Sequence, residues 1–328
     1  MVIIKEVSAK KILDSREEKT ILVNIKTNIG NFSASVPNGK SKGKNEAKSY
    51  KKGLDEDIKT LEEFSDYFSK EVIEVFDDLR RIEDIVDRQI GANTLLALES
   101  AVLKALAKDK KKQIWQLINS QAKKLPRLVG NCIGGGKHSN IPKKPDFQEF
   151  LLVPNLKSVK EAFELNKKVK INVGELLKTA EKNFLNKKND EDAWMISLNE
   201  KEVLDVLMEV KTPLGLDIAA SSFYKRKKYH YGNPKLERTP EEQLSYLSNL
   251  IKNFNLFYVE DPFQEEDFES FSKLLKKFPD SLIVGDDLTV TNSKRLEKAI
   301  KMKSINGINV KPNQCGSLLE VKRVCEIA

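Results

Sequence analysis

Four short apolar segments, each closing on a charged residue, constrain this chain more than any other feature. Leu214–Asp217, Phe257–Glu260, Leu282–Asp286 and Gly307–Lys311 end in three acids and a lysine. The closing residues lie 43, 26 and 25 positions apart, and helix-patterned stretches fill the intervals. Such spacings suit one or two strand–helix units, because parallel strands need a crossover of a dozen residues or more. Right-handed crossovers bring the C-terminal ends of such strands to one side of the sheet. Asp217, Glu260, Asp286 and Lys311 are therefore expected at one mouth, the face where β/α barrels keep their chemistry. Three acids suit a hard divalent cation, and a lysine beside it suits a base. One strand-end acid alone reads as a helix cap; three in register with a lysine read as a site. Asp287 rivals Asp286, and side-chain alternation is expected to admit only one of them to the mouth.

With 328 residues the chain can bury a large core and form two domains. Charged residues make up 32%, and no apolar run reaches the ~20 residues of a membrane helix, so no membrane partner is expected. Cys132, Cys315 and Cys325 are odd in number and lack metal-ligand spacing, which predicts reduced thiols in a cytoplasm. The net charge is +8, with lysines clustered at Lys40–Lys52, Lys108–Lys112 and Arg226–Lys228. Acids are interleaved almost throughout, so these clusters read as solvated surface and no nucleic-acid partner is expected. Of the two histidines, His138 sits in a glycine-rich stretch that favours function, and His230 reads as surface.

Residues 1–125 read as an N-terminal α+β capping domain, and 126–328 as a β/α barrel, an α/β architecture overall. Residues 21–27 and 32–36 flank a hairpin signal at Asn28–Asn31. Helical periodicity runs from Asp55 to Leu79 and from Asn93 to Ala107. Pro37–Gly43 holds two glycines and a proline, a plausible mobile lid. Beyond the boundary at Lys124–Pro126, Asn131–His138 reads as a glycine-rich turn and Gln148–Val153 as a strand. Helices are expected at Val159–Phe184 and Glu200–Val210, and Thr239–Glu242 is a capping box with Pro240 at the first helical position. Residues 126–328 fall short of the roughly 250 typical of an eight-unit barrel. The barrel is therefore expected to be incomplete at its C-terminus, with open strand edges.

The motifs along this frame resemble those of the enolase (phosphopyruvate hydratase) family. The resemblance runs through Leu13–Arg16, Pro37–Gly43 with Glu46 and Ala47, Gly91–Asn93, Asn131–His138 and Gln148–Phe150. It continues through Asp217–Ala220, Val259–Phe263, Val284–Asn292 and Lys311–Gln314, the last three in family order and spacing. It implies a capping α+β domain, a TIM-like barrel with irregular first units, and dehydration of 2-phosphoglycerate to phosphoenolpyruvate with two Mg²⁺ ions. It also implies a phosphorylated hydroxy acid as substrate and a homo-oligomeric, cytoplasmic enzyme. Carried over by position, Asp217, Glu260 and Asp286 would hold the first metal, and Ser41 would reach the second. Lys311 would take the C2 proton. Glu191, with Glu149 beside it, would assist departure of the hydroxyl, and His138 would close over the substrate. The chemistry suits these types, since a proton beside a carboxylate leaves only where concentrated positive charge stabilises the resulting enediolate. The leaving hydroxide in turn needs a carboxylic acid whose pKa is raised.

Four departures from the family pattern stand out. The family's glycine-rich loop reads Asn189–Trp194, keeping Glu191 but placing Asp192 and Ala193 at glycine positions. Backbone needing positive φ there would be strained. Glu17–Lys19 replaces Gly-Asn-Pro, and Lys42 stands where a threonine follows the loop serine. The segments supplying a phosphate-binding arginine and a second lysine are not found before Ala328. A C-terminal polypeptide completing the barrel is thus an expected partner, with little activity expected of residues 1–328 alone. The alternatives are an impaired homologue kept as a binding scaffold, and another superfamily dehydratase; Gln148–Phe150, lacking a Lys-x-Lys base motif, argues against the latter.

Overall fold

The computed structural model describes residues 1–40 and 42–328; Ser41, the expected loop ligand, lies outside the described residues. The chain divides into two compact units. The first comprises residues 1–124, 290–296 and 310–328, and the second 125–289 and 297–309.

In the first unit, strands β1 (Val2–Leu13), β2 (Lys19–Thr27), β3 (Gly30–Val36) and β4 (Val72–Ile73) form an antiparallel sheet in the order β3-β2-β1-β4. Alternation does its expected work on β2, where Ile21, Val23 and Ile25 are buried and Lys26 is exposed. These side chains share a core with Leu98, Ala101 and Val102 of the helix Ala92–Lys110 and with Leu319 of the helix Leu318–Ile327. The single helix expected from Asp55 to Leu79 is instead broken. Helices Leu54–Glu63 and Ser65–Phe68 end, β4 intervenes, and helix begins again at Leu79. Lys70 takes a left-handed φ of 79°, and Val72 and Ile73 pair with β1. Sheet pairing here overrides helical periodicity.

In the second unit, strands β5 (Gly130–Gly134), β6 (Glu149–Leu152), β7 (Trp194–Met195) and β8 (Leu214–Asp217) come first. A meander of β9 (Tyr224–Lys225), β10 (Lys228–Gly232) and β11 (Lys235–Arg238) follows, then β12 (Tyr258–Glu260), β13 (Leu282–Gly285) and β14 (Gly307–Ile308). The main sheet runs β14-β13-β12-β8-β6-β5-β7. Strands β8, β12, β13 and β14 are parallel, whereas β6 is antiparallel to both β5 and β8. Phe147, Phe150, Leu216, Val259 and Ile283 are fully buried in its core. Each such side chain contributes about 1.5–3 kcal/mol on burial.

Crossover helices begin where the sequence signals them. Thr239 Oγ1 accepts from the Glu242 N–H at 3.3 Å, and Glu242 returns the bond to the Thr239 N–H at 2.8 Å. Asn199 caps Glu200–Leu207 and Asp267 caps Phe268–Lys277, each cap contributing about 1 kcal/mol. Two expectations need correction. Asn131–Gly134 is strand rather than turn, and only Gly136–His138 coils, as a 3₁₀ helix. The last apolar segment leaves the sheet at Ile308, because Pro312 opens the short helix Pro312–Cys315 and Lys311 becomes its N-cap. Among the described residues no helix is long and apolar enough to cross a membrane.

Candidate active site

Three acids of the second unit stand side by side at the sheet's end because their strands are in register. Glu149 on β6 pairs with Asp217 on β8, and Asp217 pairs with Glu260 on β12. Asp286 follows β13 directly, two residues past Val284, the partner of Glu260. Asp217, Glu260 and Asp286 are all buried.

Their surroundings are polar and fixed. Asp217 accepts from Gln148 Nε2 at 3.0 Å and from the Ala219 N–H at 3.1 Å. Glu260 accepts from Asn309 Nδ2 at 3.1 Å and from the Tyr258 hydroxyl. Asp261 turns into the left-handed region at φ 42°, and its carboxylate accepts the N–H groups of Asp286 at 3.0 Å and Asp287 at 2.7 Å. Burial, then the charges of Glu260, Glu149, Asp261 and Asp286, push the Asp217 carboxyl well above its usual range. Burial and the neighbouring Asp287, Asp286 and Glu260 do the same to Asp261. The Tyr258 hydroxyl is raised by burial and by Glu260.

Hard carboxylate oxygens gathered out of water, mutually repelling, are the donor set that fits Mg²⁺ or Ca²⁺. Asp217, Glu260 and Asp286 would be first in line to hold it. Ligand oxygens of Asp261, Asp286 and Asp287 come within 4.8 Å of one another. Alternation does not separate Asp286 from Asp287, because strand pairing stops at Gly285; burial separates them instead, Asp286 being buried and Asp287 half-buried.

A second cluster lies at the turn after β5. His138 Nδ1 sits 2.9 Å from Glu149 Oε1 and 2.8 Å from Glu191 Oε2. Burial works to lower the His138 pKa, but hydrogen bonds and charge from Glu149 and Glu191 outweigh it and raise the imidazole above its ordinary value. His138 Nε2 is buried and meets no partner among the described residues. With Nδ1 committed to carboxylates and the ring biased to its charged form, Nε2 is a donor suited to an anionic group.

The altered loop brings Glu191 to His138. Asp192 takes up the left-handed conformation at φ 62°, which Asp tolerates better than most residues. Its carboxylate is 2.7 Å from Lys170 Nζ and 2.8 Å from Lys188 Nζ. The strain expected at the lost glycines is thus carried by a residue with its own ion pairs.

Glu149, Glu191, His138, Asp217, Glu260 and Asp286 all belong to the second unit. Lys311 belongs to the first, where its backbone N–H donates to Thr291 Oγ1 at 2.8 Å. Lys42 donates to Ser49 Oγ at 2.9 Å. Sequence reasoning gave no role to Gln148, Tyr258, Asp261, Asn309 or Asn189. Asp261 and Gln148 lie inside motifs that were legible; Asn309 had no local signal.

Comparison with known proteins shows the family to which the chain is similar. Residues 4–118 match the family described as Enolase, N-terminal domain, and residues 122–328 match Enolase, C-terminal TIM barrel domain. The enolase of Methanosphaera stadtmanae is 34% identical over an alignment of 351 positions, gaps included, spanning 99% of this chain and 84% of the relative. That of Pyrobaculum aerophilum is 34% identical over 314, spanning 90% and 75%. That of Natronomonas pharaonis is 33% identical over 350, spanning 100% and 86%.

Proposed function

The chain belongs to the enolase family, and from that membership we propose that it is a Mg²⁺-dependent hydro-lyase converting 2-phosphoglycerate to phosphoenolpyruvate. The observation that carries the proposal is the register that aligns Glu149, Asp217 and Glu260 across three strands, with buried Asp286 beside them. A buried stack of acids has little structural purpose without a cation to offset its repulsion.

In this reading Asp217, Glu260 and Asp286 would hold the first metal, and Ser41 would reach the second. When bound, Mg²⁺ supplies positive charge against the charge developing on the substrate carboxylate. Gln148, Asn309 and Tyr258 keep Asp217 and Glu260 from turning away, and Asp261 fixes the backbone of Asp286. Lys311 removes the C2 proton. Glu191, with Glu149 beside it at the same imidazole nitrogen, protonates the departing hydroxyl. His138 offers its buried Nε2 to the anionic substrate.

The test is formation of phosphoenolpyruvate from 2-phosphoglycerate by the natural full-length protein, with and without Mg²⁺. Turnover that collapses on chelation and returns with Mg²⁺ is expected. Metal-dependent dehydration of an acid sugar, with no turnover of 2-phosphoglycerate, would replace this proposal with another superfamily activity.

A further inference from the structure

The loop carrying Glu191 lacks the glycines of the family pattern, and the Asn189 side chain ties its backbone in place. Asn189 Oδ1 accepts two backbone N–H groups, from Glu191 at 3.0 Å and from Ala193 at 2.9 Å. Its Nδ2 donates to the backbone carbonyl of His138 at 2.8 Å. The Asn189 backbone is committed as well, its N–H to the Ala193 carbonyl at 2.9 Å and its carbonyl to the Asp192 N–H at 3.1 Å. Space for the carboxamide comes from Gly134 on β5, where an added Cβ would lie 2.6 Å from Asn189 Nδ2.

Asparagine suits this task for a physical reason. Its carboxamide has an acceptor at one end and a donor at the other, so it can grip N–H groups of one segment and a carbonyl of another. Neither aspartate nor leucine, though similar in size, has both. The outer flank of the loop is held differently, by Asp192 between Lys170 and Lys188. The Asp192 side chain is 68% exposed, so those pairs contribute little each and leave the inner grip to Asn189.

We propose that Asn189 is a positioning residue of this active site, setting the distance between the His138 imidazole and the Glu191 carboxylate by tying their backbones together. The catalytic part of this inference rests on the dehydratase reading above; the positioning part does not. Asn189 touches neither reacting group through its side chain. It acts on where Glu191 stands, and a displacement of about 1 Å in such a group can cost ~10²-fold in rate.

The experiment uses the full-length protein with Asn189→Ala, which removes both grips, and Asn189→Asp, which keeps the acceptor for Glu191 and Ala193 but loses the donor. The chain has only two histidines, His138 and His230, so both imidazoles can be followed by NMR, with His230 as the internal control. Asn189→Ala is expected to lower the His138 pKa and leave His230 unmoved, and Asn189→Asp to fall between it and the natural protein. In the dehydration assay kcat should drop ~10–100-fold in Asn189→Ala while KM changes by about twofold or less. Loss of thermal stability with an unmoved His138 titration and an unmoved kcat would reduce Asn189 to a structural residue and overturn the proposal. Should the alanine variant not fold, hydrogen exchange in the natural protein decides. The Glu191 and Ala193 amides should both be protected; an unprotected Glu191 amide overturns it. If the natural protein has no dehydratase activity, the dehydratase reading falls, and the His138 titration still tests the positioning.

Discussion

One N–H of His138 faces two carboxylates: Nδ1 lies 2.8 Å from Glu191 Oε2 and 2.9 Å from Glu149 Oε1. An imidazole nitrogen has a single proton to give, so the two acids compete for it and the ring is drawn toward its charged form. Burial opposes that charge, and the carboxylates prevail, raising the pKa above the ordinary 6.5. A histidine raised on folding stabilises the protein fully below its unfolded pKa, and that stabilisation is lost as pH rises through the folded value. Glu191→Gln should therefore lower the His138 pKa and make the folded state less stable below pH 6.5, while changing stability little at pH 9. Denaturant unfolding at the two pH values checks this, and equal losses at both would sink it. Removing the acid should also cut kcat by ~10²–10⁴-fold.

Millimolar Mg²⁺ should raise the melting temperature of the natural protein. At a hundredfold excess over Kd a ligand adds ~2.7 kcal/mol to the folded state. Asp286→Asn removes one of three buried acids and should abolish the rise. A salt control at equal ionic strength separates binding from screening. The idea fails if NaCl reproduces the shift, or if Asp286→Asn keeps it.

Much of this site was legible because its signals are local. Asp217, Glu260 and Asp286 each end an apolar run at a strand–helix junction, and the observed strands β8, β12 and β13 stop at or one residue before them. The parts that were not legible depend on distant partners. Gln148 lies in a legible motif but meets Asp217 across 69 positions, and Asn309 meets Glu260 across 49, so neither contact leaves a local trace. The meander β9–β11 was hidden by Arg226, Lys227 and Lys228, although Tyr229 and Tyr231 alternate inward with His230 between them. The break in the helix after Phe68 follows from Val72 meeting Ile3, a pairing no window of helical periodicity contains. The loop at Asn189 is held by two features that a count of glycines does not contain, Asp192 in the left-handed region and Asn189 over Gly134.

Lys311→Ala should stop exchange of the substrate's C2 proton with solvent, with kcat falling by at least ~10²-fold. The Mg²⁺-induced rise in melting temperature should survive, since the metal would rest on Asp217, Glu260 and Asp286. Deuterium uptake at C2, followed by NMR, is the direct measurement. Uptake at the natural rate in the variant would assign the base to another residue.

Glu99 gives the first unit a pH dependence of opposite origin to that of His138. It is fully buried on the helix Ala92–Lys110, and its Oε2 accepts the Leu318 N–H at 2.6 Å. Its Oε1 meets no donor among the described residues. Burial, and then the charge of nearby Glu83, raise its pKa well above 4.5, although the Leu318 N–H and Arg80 pull the other way. Glu83 is itself engaged, by the Ser317 hydroxyl and by Arg80 at 3.3 Å. A carboxyl raised on folding imposes nothing below its unfolded pKa, and its cost grows as pH rises from there through the folded value. Wild-type stability should thus decline over that interval as a proton is held, or a buried charge formed, beside Glu83. Glu99→Gln keeps an oxygen for the Leu318 N–H, offers an amide donor to Glu83 and cannot ionise. The variant should match or fall slightly below the natural protein at pH 4.5 and exceed it at pH 8, with each kcal/mol moving the midpoint by about 2–4 °C. Denaturant unfolding at pH 4.5, 6 and 8 measures the two slopes, and parallel slopes would show that Glu99 does not titrate in this range.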